Sequence, residues 1–376
     1  MTYGWTDEQL ALRDTVANLC GDFGEEYWRE LDWRREYPAE FVKALTDAGL
    51  LAVLIPEEYG GGGGSITDGA IILETINRSG GTGVPAHAQM YTMGTVLRHG
   101  SEEQKQRWLP ELCRGEKLGA FGLTEPGGGS DVFGTARTRA VQDGDEWVID
   151  GAKQFITNAG TEMTSVVTVT AWTAEREMTA IIVPIDTPGV SIAPPYHKVG
   201  WHASDTRELT FDGVRVPVDN TLGERGAGFR QFLKTLDDGR IAIAALAVGL
   251  IQGCVDECVR YANEREAFGG PIGKQQAIAF KIADLEVAAQ TARQMYRYAC
   301  RRKLAGLPYK REAAIAKLYS SEQAVTAARE ATQIFGGMGF TTETRVGRFY
   351  QDAKILEIGE GTSEVQRMLI SRDLGL

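Results

Sequence analysis

The feature that most constrains this 376-residue chain is a double change of hydrophobic period along its length. From residue 6 to about 119 the apolar positions recur at helical spacing. Leu12, Val16, Leu19, Cys20 and Phe23 share one face behind a Thr6/Gln9 capping box. Pro38 in front and Gly49 behind bound another helix, and His99-Gly100 followed by Ser101/Gln104 marks a stop and a start. The glycine run from Gly60 to Gly64 reads as a flexible connector, with Thr67 capping the helix that follows. Around Gly119 the period shortens to two. Residues 147–149, 166–169, 180–183 and 206–211, with Val141, form short β-branched runs separated by Gly, Pro and Asp, and Asp143-Gly144-Asp145 is a hairpin signal. After Gly226 the pattern is helical again over 229–263, 276–305 and 310–335, lengths that suit a four-helix bundle. The expectation is an α+β multidomain chain: an N-terminal helical domain over 1–118, a central β-barrel-like domain over 119–225 and a C-terminal four-helix bundle over 226–376.

Composition narrows the function classes. A net charge of −11 argues against nucleic acid as a partner, since a phosphate backbone wants a basic surplus, but leaves room for a small polyanion on a local arginine cluster. No run looks apolar enough to span a membrane, and the first residues, MTYGWTDEQL, have neither a basic nor a hydrophobic leader region. Five cysteines without disulfide-framework spacing suit a reducing interior, and a cytoplasmic location is expected. Cys254 and Cys258, one helical turn apart, read as core packing. The four histidines, His87, His99, His197 and His202, are scattered without metal-ligand spacing, so no metal site is expected.

Chemistry concentrates in a few stretches. The last, YQDAKILEIGEGTSEVQR from Tyr350, begins as an amphipathic helix and breaks at Gly359-Glu360-Gly361, with Thr362 or Ser363 the expected cap of a final helix. Glycines on both sides let a ligand approach the Glu360 backbone closely, and apolar surroundings would raise that carboxylate's proton affinity toward a general base. FGLTEPGGGSD, from Phe121 to Asp131, is a glycine-rich stretch that also carries the hydroxyls of Thr124 and Ser130. KQFITN follows from Lys153, then DDGR from Asp237, REAFG from Arg265, and QIFGGMG from Gln333.

Taken in this order, the motifs resemble the acyl-CoA dehydrogenase family of flavoproteins over essentially the whole chain. The resemblance implies FAD as cofactor. Phe121, Leu123, Thr124, Gly129 and Ser130 would lie along the flavin and diphosphate, and Phe155, Ile156 and Thr157 beside the ring, with Phe155 standing where relatives often carry tryptophan. Arg265, Phe268, Gln276, Gln333, Ile334, Gly336 and Gly337 would reach the FAD of a neighbouring subunit, so a homotetramer is implied. Thr362 and Glu364 complete the implied cofactor set. Ser130, Asp237, Arg240 and Gly361 would contact acyl-CoA.

The implied reaction is α,β-desaturation of an acyl-CoA, with Glu360 taking the α-proton, hydride passing to the flavin and electrons then passing to an electron-transferring flavoprotein. Gly239 stands where isovaleryl-type relatives carry their base, which leaves that role to Glu360. The wording LDDGRIAI from Leu236 resembles the short-chain branch. The alternatives are an acyl-CoA oxidase, distinguished by oxygen-dependent peroxide release, and a non-catalytic flavin-binding relative.

Overall fold

The structure, a computed structural model, describes residues 4–376. Six helices come first: α1 (Asp7–Gly21), α2 (Glu25–Arg34), α3 (Ala39–Asp47), α4 (Ile66–Arg78), α5 (Val84–His99) and α6 (Glu102–Cys113). The capping boxes at Thr6/Gln9 and Ser101/Gln104 form as the sequence suggests. Two local expectations need correction. Ser65, with Asp68, caps α4, while Thr67 lies buried inside its first turn. The glycine run is a packed loop: Gly62, Gly63 and Gly64 donate to the carbonyls of Ala52, Ile55 and Val53 at 3.1, 2.8 and 2.7 Å. A Cβ on Gly61 would sit 2.0 Å from the Ile55 carbonyl oxygen, so close backbone approach explains that glycine.

The middle of the chain forms a curled, mixed seven-stranded sheet. Its strands are β1 (Leu118–Gly122), β2 (Arg139–Asp143), β3 (Glu146–Thr157), β4 (Thr164–Ala174), β5 (Glu177–Pro184), β6 (Val190–Ile192) and β7 (Thr206–Pro217), with the single-turn helix α7 (Val132–Thr135) after β1. They run in the order β1-β4-β2-β3-β7-β6, with β5 also on β4. The β2–β3 hairpin closes Asp143 against Glu146, Gly144 supplying the positive φ that its two-residue turn requires. Alternating residues of β3, β4, β5 and β7, among them Trp147, Ile149, Val167, Ile181 and Phe211, fill the sheet's interior.

The C-terminal part is a bundle of α8 (Gly228–Glu264), α9 (Gln276–Leu304), α10 (Lys310–Phe335) and α11 (Arg345–Ile358), with the small hairpin β8 (Glu266–Ala267) and β9 (Gly270–Pro271) between α8 and α9, and α12 (Ser363–Asp373) at the end. Buried residues of α8 join those of α4, α9, α10 and α11 in the main core, where Cys254 and Cys258 are fully buried. Contrary to the sequence expectation, α8 is long and apolar enough to cross a membrane by length and composition. Yet 83% of its most apolar window is buried in the fold, as in the core helix of a globular protein.

Candidate active site

Glu360 sits in the short link between α11 and α12 with φ +53°, in the left-handed region, and Gly361 follows at +92°. A non-glycine residue there is costly, on the order of 1–3 kcal/mol, and persists only where its surroundings hold it. They do. Lys317, fully buried on α10, donates to the Gly361 carbonyl at 2.7 Å, and buried Gln366 donates to the carbonyls of Glu360 and Gly361 at 3.2 and 2.9 Å. Burial pushes the Lys317 ammonium down to about 8, with the charge of Glu360 pulling the other way. Thr362 caps α12, its hydroxyl accepting from the Val365 N–H at 3.3 Å.

The Glu360 carboxylate turns into the space between α5 and α8. Its Oε1 meets Nε2 of His87, and its Oε2 is buried without a hydrogen-bond partner. A Cβ on Gly239 would lie 1.9 Å from that Oε2 and 2.4 Å from the Tyr91 ring, so only glycine at 239 leaves room for this carboxylate. Tyr91 packs edge-on against His87 and Phe121, and Phe121 stacks on Phe232 with centroids 4.0 Å apart, which gives the site an aromatic wall. The Tyr91 hydroxyl is buried and unpartnered, and burial, followed by the charge of Glu360, pushes its pKa well up.

Beside this wall on α8, Arg240 is buried and paired with Asp237, its Nε left without a partner. Burial raises the Asp237 carboxyl above its usual range. Asp238 is tied instead to Arg98, to Lys303 at 2.6 Å and to the Tyr309 hydroxyl at 2.7 Å.

The FGLTEPGGGSD segment leaves β1 as an ordered loop. Fully buried Lys153 on β3 reaches the Glu125 carboxylate at 2.7 Å, and Glu125 also accepts the backbone N–H groups of Arg137 and Thr138. Burial alone would raise the Glu125 carboxyl, but Lys153 and these hydrogen bonds hold it below its usual range, while burial lowers Lys153 to about 8. Sequence reasoning passed over this pair because its members lie in different motifs. Leu123 is buried, a tight turn closed by the Gly128 N–H on the Glu125 carbonyl at 3.0 Å follows, and Gly129 and Ser130 are exposed before Asp131 caps α7.

At Phe155 the β3–β7 register shifts and φ reaches +60°, which turns the ring outward, 58% exposed, against Tyr196. Ile156 points back into the sheet and Thr157 ends the strand. Asn158, buried at φ +58°, donates to the Pro85 carbonyl at 3.1 Å and leaves its Oδ1 without a partner.

A second group of expected residues gathers elsewhere. Arg265 ends α8, Phe268 is 95% exposed on the β8–β9 turn, Gln276 opens α9, and Gln333, Ile334, Gly336 and Gly337 end α10. Tyr261 stacked on Phe335 joins the ends of α8 and α10. Sixteen residues of α10 separate Lys317, at the Glu360 link, from Gln333, a rise of about 24 Å. One chain therefore does not bring the two groups together. Glu364, in the first turn of α12, is exposed.

Family models cover nearly the whole chain in order: "Acyl-CoA dehydrogenase, N-terminal domain" over 6–116, "middle domain" over 120–214 and "C-terminal domain" over 226–375. The chain is 44% identical to the probable acyl-CoA dehydrogenase YngJ of Bacillus subtilis, with all of both chains covered. It is 35% identical to the butyryl-CoA dehydrogenase of Megasphaera elsdenii, with a TM-score of 0.95 and all of both chains covered. It matches equally well, at 35% identity and a TM-score of 0.95 over 100% of this chain and 99% of the other, a chain solved in work on the electron transferring flavoprotein of Acidaminococcus fermentans and flavin-based electron bifurcation. Three matched domains in unbroken order, on a fold shared from end to end, make this chain a member of the acyl-CoA dehydrogenase family, FAD-dependent oxidoreductases that dehydrogenate acyl-CoA.

Proposed function

We propose that this protein desaturates a short acyl-CoA thioester between Cα and Cβ, with Glu360 as the base that removes the α-proton. The observation that carries the reading is the carboxylate itself: mounted on a left-handed backbone, one oxygen engaged by His87, the other buried and unpartnered against Gly239. An oxygen in that state has a lone pair available to a reacting proton, and the backbone strain marks a position held for use. The backbone N–H of Glu360 serves as a donor to the thioester carbonyl, where one such donor is worth ~2.7–4 kcal/mol as enolate character develops. The rings of Tyr91 and Phe121 place apolar bulk beside the carboxylate, in keeping with a short acyl chain. The likeness to a butyryl-CoA dehydrogenase supports the same preference. Arg240 and Asp237, with Ser130 and Gly361, are assigned to the acyl-CoA.

The residues present fit FAD. The exposed Gly129 and Ser130, with the Thr124 and Ser130 hydroxyls, offer donors to its oxygens, the outward ring of Phe155 supplies an apolar wall, and the orphaned Asn158 Oδ1 awaits a donor. When bound, FAD supplies the acceptor for the β-hydrogen, which leaves as hydride. Ile156 backs this wall from within the sheet, and Thr157, Thr362 and Glu364 join the set from the end of β3 and the start of α12. The distant group from Arg265 to Gly337 completes the FAD site of another copy, a role that suits the exposure of Phe268 and Phe340 and the separation along α10. The assembly is then a homotetramer, expected in light scattering at about four times the 41.0 kDa chain mass. An electron-transferring flavoprotein is the proposed acceptor, in keeping with the Acidaminococcus likeness. Five free, buried cysteines suit a reducing, cytoplasmic setting.

Anaerobic titration with acyl-CoA thioesters of graded length tests the proposal. Flavin absorbance is expected to bleach with butyryl-CoA and neighbouring short chains, and to bleach little with long ones. A flavin left oxidised by every short member, while long ones bleach it, would overturn the substrate class. Peroxide released in air at the rate of substrate turnover would make the enzyme an oxidase instead.

A further inference from the structure

We propose that His87 is the positioning residue for the Glu360 carboxylate: its imidazole Nε2–H donates to Oε1 and so assigns Oε2 as the oxygen that receives the proton. This rests on the reading of Glu360 as the base. Nothing in the sequence hints at the pair, because 273 residues separate its members. The geometry is nonetheless built to hold it. His87 lies 7% exposed in the second turn of α5, and that helix start is anchored on two sides. Asn77 accepts the Gly83 N–H at 2.9 Å, and Asn158 of the sheet region donates to the Pro85 carbonyl at 3.1 Å. One turn on, the Tyr91 ring packs edge-on against the imidazole at 5.4 Å.

Tyr91 on α5 and Lys317 on α10 both feel the Glu360 charge, and the other charged groups around these two are Asp237, Asp238 and Arg240 on α8, Glu322 on α10 and Glu357 on α11. The cations among them are otherwise engaged, Arg240 by Asp237 and Lys317 by the Gly361 carbonyl. Among the described residues, His87 is therefore the one hydrogen-bond donor to this carboxylate. A carboxylate on a four-residue link has several rotamers open to it, and a single donor on a rigid helix selects one. Neutral imidazole leaves the carboxylate free to take the substrate proton on Oε2.

The test compares His87→Leu and His87→Gln in FAD-loaded protein, by anaerobic stopped-flow reduction with butyryl-CoA across pH. Glutamine keeps a donor but cannot be charged; leucine removes the donor. His87→Leu is expected to reduce the flavin about 10²-fold more slowly at every pH, the scale of a misplaced reacting group. His87→Gln, which keeps the donor, is expected to stay close to the wild-type rate. A wild-type rate and profile in His87→Leu would overturn the proposal, as would a His87→Gln variant as slow as His87→Leu. Flavin content and the binding of a non-reducing acyl-CoA analogue show whether each variant is folded, and the glutamine variant carries the test if the leucine variant is not. Failure of the base assignment reads differently: Glu360→Gln would then reduce its flavin at the wild-type rate.

Discussion

Glu360→Gln is expected to retain FAD and acyl-CoA and to lose flavin reduction by about 10²–10⁴-fold, the range a positioned general base contributes. Glutamine keeps the shape of the side chain and an oxygen for His87, so the left-handed link, held by Lys317 and Gln366 through backbone carbonyls, has no reason to move. What disappears is the basic oxygen. The Tyr91 hydroxyl stands close enough for its charge to be felt, but burial keeps that phenol neutral, so it is no substitute base. Flavin absorbance under anaerobic stopped flow reads the loss directly, and a spectral shift on adding acyl-CoA shows that binding survives. Bleaching at the wild-type rate would sink the assignment.

Gly239→Ala is expected to cost about 10²-fold in flavin reduction while leaving the fold intact, because misplacement of a reacting group by about 1 Å has that effect. Alanine in a helix interior is favoured over glycine by roughly 0.5–1 kcal/mol, so α8 itself loses nothing. The new methyl, however, would stand 1.9 Å from Glu360 Oε2 and 2.4 Å from the Tyr91 ring. The carboxylate tip is the softer neighbour and gives way first, breaking its alignment with His87. Retained FAD and acyl-CoA binding, together with slow reduction, is the expected signature. Wild-type reduction kinetics would show that the carboxylate tolerates displacement and that the close approach has no catalytic meaning.

Much of the fold is legible because it rests on local chemistry. The Thr6/Gln9 and Ser101/Gln104 caps, the Gly144 turn and the long apolar faces of α8, α9 and α10 are each decided within a few residues of chain. Local signals mislead where packing takes over. Glycines 60–64 look like a flexible connector, yet Gly61 is there because the Ile55 carbonyl leaves no space for a side chain. Thr67 has the chemistry of a cap, but Ser65 comes first and its Asp68 partner closes the box.

The candidate site divides the same way. Glu360 between two glycines stands out in the sequence, and so does the absence of a side chain at Gly239, though not that the two touch. His87 reads as one of four scattered histidines, and the Glu125–Lys153 pair joins two motifs across 28 residues. Such contacts depend on how α5, α8, β3 and the final link pack together, and no spacing rule reports that. Nor does spacing report that Gln333 to Gly337 lie at the far end of α10 from the Glu360 link.

The most direct measurement on the base assignment follows the α-hydrogen alone. Wild-type protein and Glu360→Gln are each incubated anaerobically with butyryl-CoA in D₂O, without an electron acceptor, and the recovered thioester is read by mass spectrometry or NMR. The expected result is deuterium at Cα with the wild-type protein and almost none with the variant. Exchange at the wild-type rate in Glu360→Gln would mean that another group takes the proton, and would contradict the central claim.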